Sequence, residues 1–288
     1  MCEGNKVEVA AARVVCTQKL QAVAGEAARL EAEVLLAHVL GWERTRLFSH
    51  PETLLTASQQ DRLETLVARR EGGEPLAYIT GQRAFWSLTF EVTPACLIPR
   101  PDTETLVEIA LARLPQTPVR VADLGTGCGA IAAAIAHERP RAWVLAIDRS
   151  LAALAVAQAN FQRLGLKGCH CLAGDWLSAV EPSLSFDLIL ANPPYIAEDD
   201  PHLQDLAWEP QTALIAGSDG LAAFRTLLPQ ALARLMPGGG LLVEHGATQG
   251  ATVRQLFAHQ GFATITTHRD LAGHERVTSG VRPLDTCP

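Results

Sequence analysis

With 288 residues, 48% hydrophobic and 19% charged, the chain can bury one large core and a small one without disulfide or metal staples. Its formal net charge is −7 and no block of basic residues occurs, so the electrostatic footprint behind most affinity for naked nucleic acid is missing. Glu3 and Glu8 interrupt the stretch where a signal peptide would be apolar, and no run approaches ~18 apolar residues, so the expected location is cytoplasmic, with no membrane partner.

The N-terminal region has helical periodicity. Leu30, Val34, Leu35 and Val39 recur at helix spacing, and Gly41 stands where a cap would end that helix. Thr56 followed by Gln59 matches a capping box, after which Leu63, Leu66 and Val67 form an apolar stripe that Gly72 and Gly73 break. The spacing predicts a small bundle over residues 5 to 72, hence an N-terminal helical domain over 1–74. Such a bundle can be a packing domain or a substrate-docking module, and its periodicity favours neither.

From Ser87 to Val92 the pattern changes to alternation, with Leu88, Phe90 and Val92 on one face, and a second extended stretch ends at Ile98 and Pro99. The expected element is a β-hairpin linker over 75–99. Next comes Pro101-Asp102-Thr103-Glu104, where Asp102 or Thr103 is positioned to cap a helix carrying Leu106, Ile109 and Ala110.

Strand and helix alternate through the remaining domain, 100–288. Strands are expected at Val119 to Leu124, Trp143 to Ile147, His170 to Ala173, Phe186 to Ala191 and Gly240 to Glu244, with two more at Phe262 to Thr267 and Arg276 to Val281. This predicts an α/β fold with a mostly parallel seven-stranded sheet covered on both faces and a ligand site beyond its carboxyl ends. The seven cysteines are odd in number and scattered, with no C-x-x-C pair, and Cys287 is one place from the end, outside a prenylation box. They read as reduced, mostly buried small hydrophobes, with no metal site.

Asp123-Leu124-Gly125-Thr126-Gly127-Cys128-Gly129-Ala130 joins a strand to a helix. Its glycines let backbone approach a ligand, and the helix behind them presents free N–H groups. Gly125, Gly127 and Ala130 also satisfy the dinucleotide pattern, which keeps a nicotinamide or flavin enzyme open. Asp148 ends the next strand, where a carboxylate can accept both hydroxyl protons of an adenosine ribose. Asp175 and Trp176 follow the third strand, an acceptor beside an aromatic face suited to an adenine ring, although a Trp alone more often only packs.

Asn192-Pro193-Pro194-Tyr195 directly follows the apolar strand Phe186 to Ala191. A carboxamide or exocyclic amino nitrogen is a poor nucleophile, its lone pair being delocalised, so an enzyme must hold it in place. Asn192 offers a side-chain oxygen and Pro193 a backbone oxygen, in a stretch whose torsions two prolines restrain. Together they can fix both hydrogens of the group, aim its nitrogen at a methyl donor and favour the positive charge that grows there, with Tyr195 as an aromatic wall. The bland alternative is a Pro-rich loop ending a strand. His245, one of nine scattered histidines, reads as structural.

These residues resemble the class I S-adenosylmethionine methyltransferases that modify planar nitrogens. With Pro75 to Gly81, Phe85 to Leu88, Leu97 to Glu104, Glu209-Pro210 and Glu244-His245-Gly246, the resemblance narrows to the HemK/PrmC family, the release factor glutamine methyltransferases, and covers nearly the whole chain. It implies N5 methylation of the glutamine in the Gly-Gly-Gln tripeptide of class 1 peptide chain release factors. It also implies an S-adenosylmethionine site at Gly125, Thr126, Gly127, Cys128, Gly129, Asp148, Asp175, Trp176 and Asn192, glutamine held by Asn192, Pro193, Pro194 and Tyr195, and release factor docked on the helical domain. Two departures stand out: Cys128 where Thr is common, and a short stretch between His202 and Trp208. The rival readings are an amino methyltransferase of nucleic-acid bases, opposed by the acidic balance; a dehydrogenase, which leaves the Asn-Pro-Pro-Tyr run unexplained; and a silent docking protein.

Overall fold

The computed structural model describes residues 7–285, so Cys2, Glu3 and Cys287 lie outside the described residues. The chain divides into two compact units between Gly81 and Gln82.

In the first unit, one face of each helix builds the core. α1 (Val9–Ala24) buries Val9, Ala12, Cys16 and Leu20, spaced three or four apart. α2 (Ala28–Leu40) buries Ala28, Ala32, Leu35, Leu36 and Val39 and ends on a left-handed Gly41 at φ +64°. Its buried stripe is rotated from the expected one, because alanines take the packed face and leave Leu30 exposed. α3 (Arg46–Ser49) adds the buried Leu47. α4 (Ala57–Glu71) begins with the expected capping box: Thr56 Oγ1 accepts from Gln59 N at 3.2 Å while Gln59 Oε1 accepts from Thr56 N at 2.9 Å. α5 (Leu76–Thr80) closes the unit.

The second unit opens with an antiparallel hairpin of β1 (Gln82–Phe85) and β2 (Leu88–Glu91). The partner of the Leu88 strand therefore lies upstream of it, and the stretch expected as its second arm, 94 to 98, carries no strand. The sequence hides this because the turn is Trp86-Ser87, with Trp86 at φ +55°, a conformation rare for a bulky residue. Glu104 and Glu138 hold it, Oε1 of each accepting at 2.8 Å from the Trp86 backbone N–H and indole N–H respectively.

A 3-10 turn, Pro101–Thr103, feeds α6 (Glu104–Arg113), and neither candidate cap caps it. Asp102 instead pairs with Arg276 at 3.2 Å. The sheet comprises β3 (Arg120–Leu124), β4 (Trp143–Asp148), β5 (Cys169–Ala173), β6 (Phe186–Ala191), β7 (Leu235–Glu244), β8 (Ala263–Arg269) and β9 (Glu275–Val281). Its order is β5-β4-β3-β6-β7-β9-β8, parallel from β5 to β7 and antiparallel at β9. β7 starts earlier than expected because Leu235 already pairs with Phe186, ahead of a bulge that restores register at Gly240 opposite Leu188. α7 (Ala130–Glu138), α8 (Leu151–Arg163), α9 (Ala222–Arg234) and α10 (Gly250–Gln260) complete the unit. Strand order reverses between β3 and β6, which opens a crevice at their carboxyl ends. Among the described residues, no helix is long and apolar enough to cross a membrane.

Candidate active site

The loop between β3 and α7 is shaped by its backbone. Gly125, Gly127 and Gly129 have φ of +71°, +56° and +86°, where a side chain would be strained. At Gly129 a Cβ would also lie 2.7 Å from Phe161 Cε1, so this glycine lets the loop close onto α8. The Gly125 and Thr126 amides donate to Ile147 O at 2.8 and 3.0 Å, fastening the loop to the end of β4. Asp123, fully buried, steadies it from beneath: Oδ2 accepts from Thr126 Oγ1 at 2.6 Å and from Ala132 N at 3.1 Å, while Oδ1 has no hydrogen-bond partner. Burial pushes the pKa of this carboxyl up to about 7.

Asp148 ends β4 with both oxygens anchored. Oδ2 accepts from Gly127 N and Oδ1 from Ser150 N, each at 2.9 Å, which leaves a second lone pair on each for a ligand hydroxyl. Trp176 sits at φ +52° after β5, its Cζ3 edge 3.7 Å from where a Gly125 side chain would begin. A cavity of ≈ 340 Å³ opens here, with Gly125, Gly127, Asp148, Asp175, Trp176 and Asn192 in its walls. This volume falls within the range of about 300–1,000 Å³ usual for small-molecule sites. A paired acceptor for a diol, an aromatic edge and a floor without side chains fit a nucleoside-bearing cofactor.

The structure brings those six residues and Pro194 to one cavity. Thr126, Cys128 and Gly129 support the loop from behind. Cys128 is buried with its thiol against that of Cys96, and hydrogen bonding to Cys96, reinforced by burial, holds its pKa well above the ordinary value. Pro193 is buried. Tyr195 turns its hydroxyl away to Glu244, donating to Oε1 at 3.4 Å, and burial raises its pKa. Asn192 is tied by its amino group: Nδ2 donates to Thr103 Oγ1 at 3.1 Å.

Sequence reasoning missed the opposite wall, residues 210 to 226. Ile196 pairs with Ile215 in an isolated parallel bridge, and Ala216 N donates to Ile196 O at 2.9 Å, so Thr212, Ile215 and Ala216 face the cavity. The available signal was the apolar run Ala213 to Ala216 ahead of Gly217 and Gly220. Gly220, at φ +69°, would place a Cβ 2.4 Å from Tyr195 O. Glu209 ties the segment before α6 in place. Buried, it accepts from Ile98 N on Oε2 at 3.0 Å and from the Arg100 guanidinium on Oε1, strapping residues 98 to 100 beside the cavity. The short stretch before Trp208 forms a 3-10 turn, Pro201–Leu206, capped by Asp200.

Comparison with known proteins agrees with this geometry. The PrmC N-terminal domain family matches residues 11–81, and the methyltransferase small domain family matches residues 102–210. The release factor glutamine methyltransferase of Escherichia coli is 50% identical over 262 residues, covering 90% of this chain and 94% of that protein. The chain belongs to the release factor glutamine methyltransferase family. Its relatives of the same name in Coxiella burnetii and Vibrio cholerae are 48% and 44% identical, covering 86% and 95% of this chain and 90% and 96% of theirs. Solved structures support the class I methyltransferase fold of the family. A methyltransferase of Pyrococcus furiosus superposes with TM-score 0.54 at 17% identity, over 80% of this chain and all of its own. A 16S rRNA N2 methyltransferase of T. thermophilus, in complex with AdoMet and guanosine, gives TM-score 0.54 at 21% identity over 70% of this chain and 49% of that one.

Proposed function

We propose that this protein is the enzyme that methylates the side-chain nitrogen of the glutamine in the Gly-Gly-Gln motif of class 1 peptide chain release factors, with S-adenosylmethionine as donor. The observation that carries the reading is Asn192: it borders the cavity that holds Asp148 and Trp176, at the end of β6, with its amino group already engaged and its Oδ1 left as an acceptor. When bound, S-adenosylmethionine supplies an electrophilic methyl group on a sulfonium. Asp148 receives the ribose hydroxyls, Gly125 and Gly127 admit the chain of the cofactor close to backbone, and Asp175 and Trp176 serve the adenine. Asn192 Oδ1 and the Pro193 carbonyl accept the two hydrogens of the substrate carboxamide. This alignment removes the freedom of the group to rotate and favours the charge that grows on nitrogen. Pro194 and Tyr195 give that segment its rigidity. The helical first unit docks the release factor.

The test is transfer of label from S-adenosylmethionine to purified release factor, duplex DNA and ribosomal RNA in separate incubations. Label enters release factor alone and disappears when the glutamine of its Gly-Gly-Gln motif is replaced; label in either nucleic acid overturns the assignment. A chain reduced to residues 82–288 should still bind the cofactor but methylate poorly at limiting release factor. Full activity there makes the first unit a packing domain.

A further inference from the structure

Asn192 can accept a substrate hydrogen only if its Oδ1, and not its amino group, is presented to the carboxamide. The two ends of an Asn amide have the same shape, so something other than sterics must choose between them. Thr103 meets that requirement. It is buried, 4% exposed, at the end of the Pro101–Thr103 turn, and its Oγ1 accepts from Asn192 Nδ2 at 3.1 Å. In that bond Thr103 Oγ1 is the acceptor and the amino end of Asn192 the donor, which leaves Asn192 Oδ1 outside it. An acceptor at that position is served only by the amino end of the Asn192 amide. The turn carrying Thr103 is itself pinned, because Arg276 bridges Asp102 at 3.2 Å and Asp270 at 3.3 Å.

We infer that Thr103 is a positioning residue that fixes the orientation of the Asn192 side chain so that its oxygen faces the glutamine amide. The inference rests on the proposed role of Asn192 and adds what makes that role possible. Thr103 lies 89 residues from Asn192 in the sequence and needs no contact with substrate or cofactor.

The experiment compares Thr103→Val, Thr103→Ser and Asn192→Ala in single-turnover methylation of intact release factor, with S-adenosylmethionine affinity measured by calorimetry and folding by thermal melting. Valine keeps the shape and removes the hydroxyl, leaving the Asn192 amide free to flip. Turnover should fall about tenfold, the factor carried by roughly one well-placed hydrogen bond, with cofactor affinity and KM for release factor within about twofold of wild type. Serine restores the hydroxyl and should return turnover to within about threefold. Thr103→Val at the wild-type rate beside a crippled Asn192→Ala overturns the positioning role and leaves the Asn192 reading standing. Asn192→Ala at the wild-type rate overturns both. If Thr103→Ser is as slow as Thr103→Val, or if cofactor affinity falls in step with turnover, the site responds to packing and the inference is wrong. Should Thr103→Val fail to fold, Thr103→Ala and Thr103→Ser decide: a slow alanine variant beside a rescued serine variant, with cofactor affinity intact, supports the positioning role, and wild-type turnover in Thr103→Ala overturns it.

Discussion

The two sides of the cavity are built on different principles. The side made by the ends of β3, β4 and β5 is held mainly through its own loop amides: Gly125 and Thr126 donate to Ile147 O, and Gly127 donates to the Asp148 carboxylate, 21 residues away. The side that carries Asn192 is held by side chains from remote positions: Thr103 reaches Asn192 across 89 residues, and Glu209 reaches Ile98 across 111. Parallel strands in sequential order can shape a cofactor floor from loops alone. Gripping a poor nucleophile needs polar groups at particular atoms, and those come from wherever the fold brings buried donors and acceptors together.

The comparison can be broken at its strongest point first. Asn192→Ala removes an oriented acceptor from the remotely assembled side and should lower single-turnover methylation by ~10² to 10³, the usual loss for one such group. Cofactor affinity should fall much less, because the loop, Asp148 and Trp176 stay in place; an equal fall in both would merge the two sides into one functional unit. Asp148→Ala strikes the backbone-held side. It should weaken S-adenosylmethionine binding by about 1 to 3 kcal/mol in calorimetric titration. Unchanged affinity in a folded variant would remove Asp148 from the cofactor site.

A smaller effect is expected from the strap. Glu209→Gln keeps an acceptor for Ile98 N but weakens the pairing with Arg100, and should cost about 0.5 to 1.5 kcal/mol of stability in urea unfolding. A further effect concerns pH. Burial raises Asp123 and Glu244 to about 7 from 3.8 and 4.5, so the folded state holds protons that the unfolded state has released. Their contribution is complete below those lower values and declines as pH rises through about 7. The urea midpoint should therefore fall from pH 5 to pH 8, and Asp123→Asn should flatten part of that fall; a variant with the same pH slope as wild type would show that Asp123 does not titrate as its burial implies.

How far the sequence could be read follows the same division. The seven strands, the capping box at Thr56 and the αL glycine at Gly41 were legible because each depends on residues within a few positions. The loop of Gly125 to Gly129 and the carboxylate of Asp148 were legible for the same reason. Thr103 was not: its place at the head of a helix suggested a cap, and only the fold shows its hydroxyl facing Asn192. The wall of Thr212, Ile215 and Ala216 also escaped, since an apolar run ahead of Gly217 describes many loops and its pairing with Ile196 is a long-range event. The β1–β2 turn was misplaced because a Trp at positive φ defies local preference and is held there by Glu104 and Glu138.

The strand order has a consequence for how the molecule comes to exist. β9 lies between β7 and β8 although it follows both in the chain, so a ribosome that has delivered residues 235 to 269 has made β7 with one edge bare and β8 with nowhere to pair. An exposed apolar strand edge is a template for pairing with other chains. Leu241, Leu242 and Val243, all fully buried once Ser279, Thr278 and their neighbours are in register, stay open to such encounters until residues 275 to 281 emerge. At roughly 5–20 residues per second the 12 residues from 270 to 281 follow β8 within about a few seconds, and that interval sets how long the nascent chain needs protection.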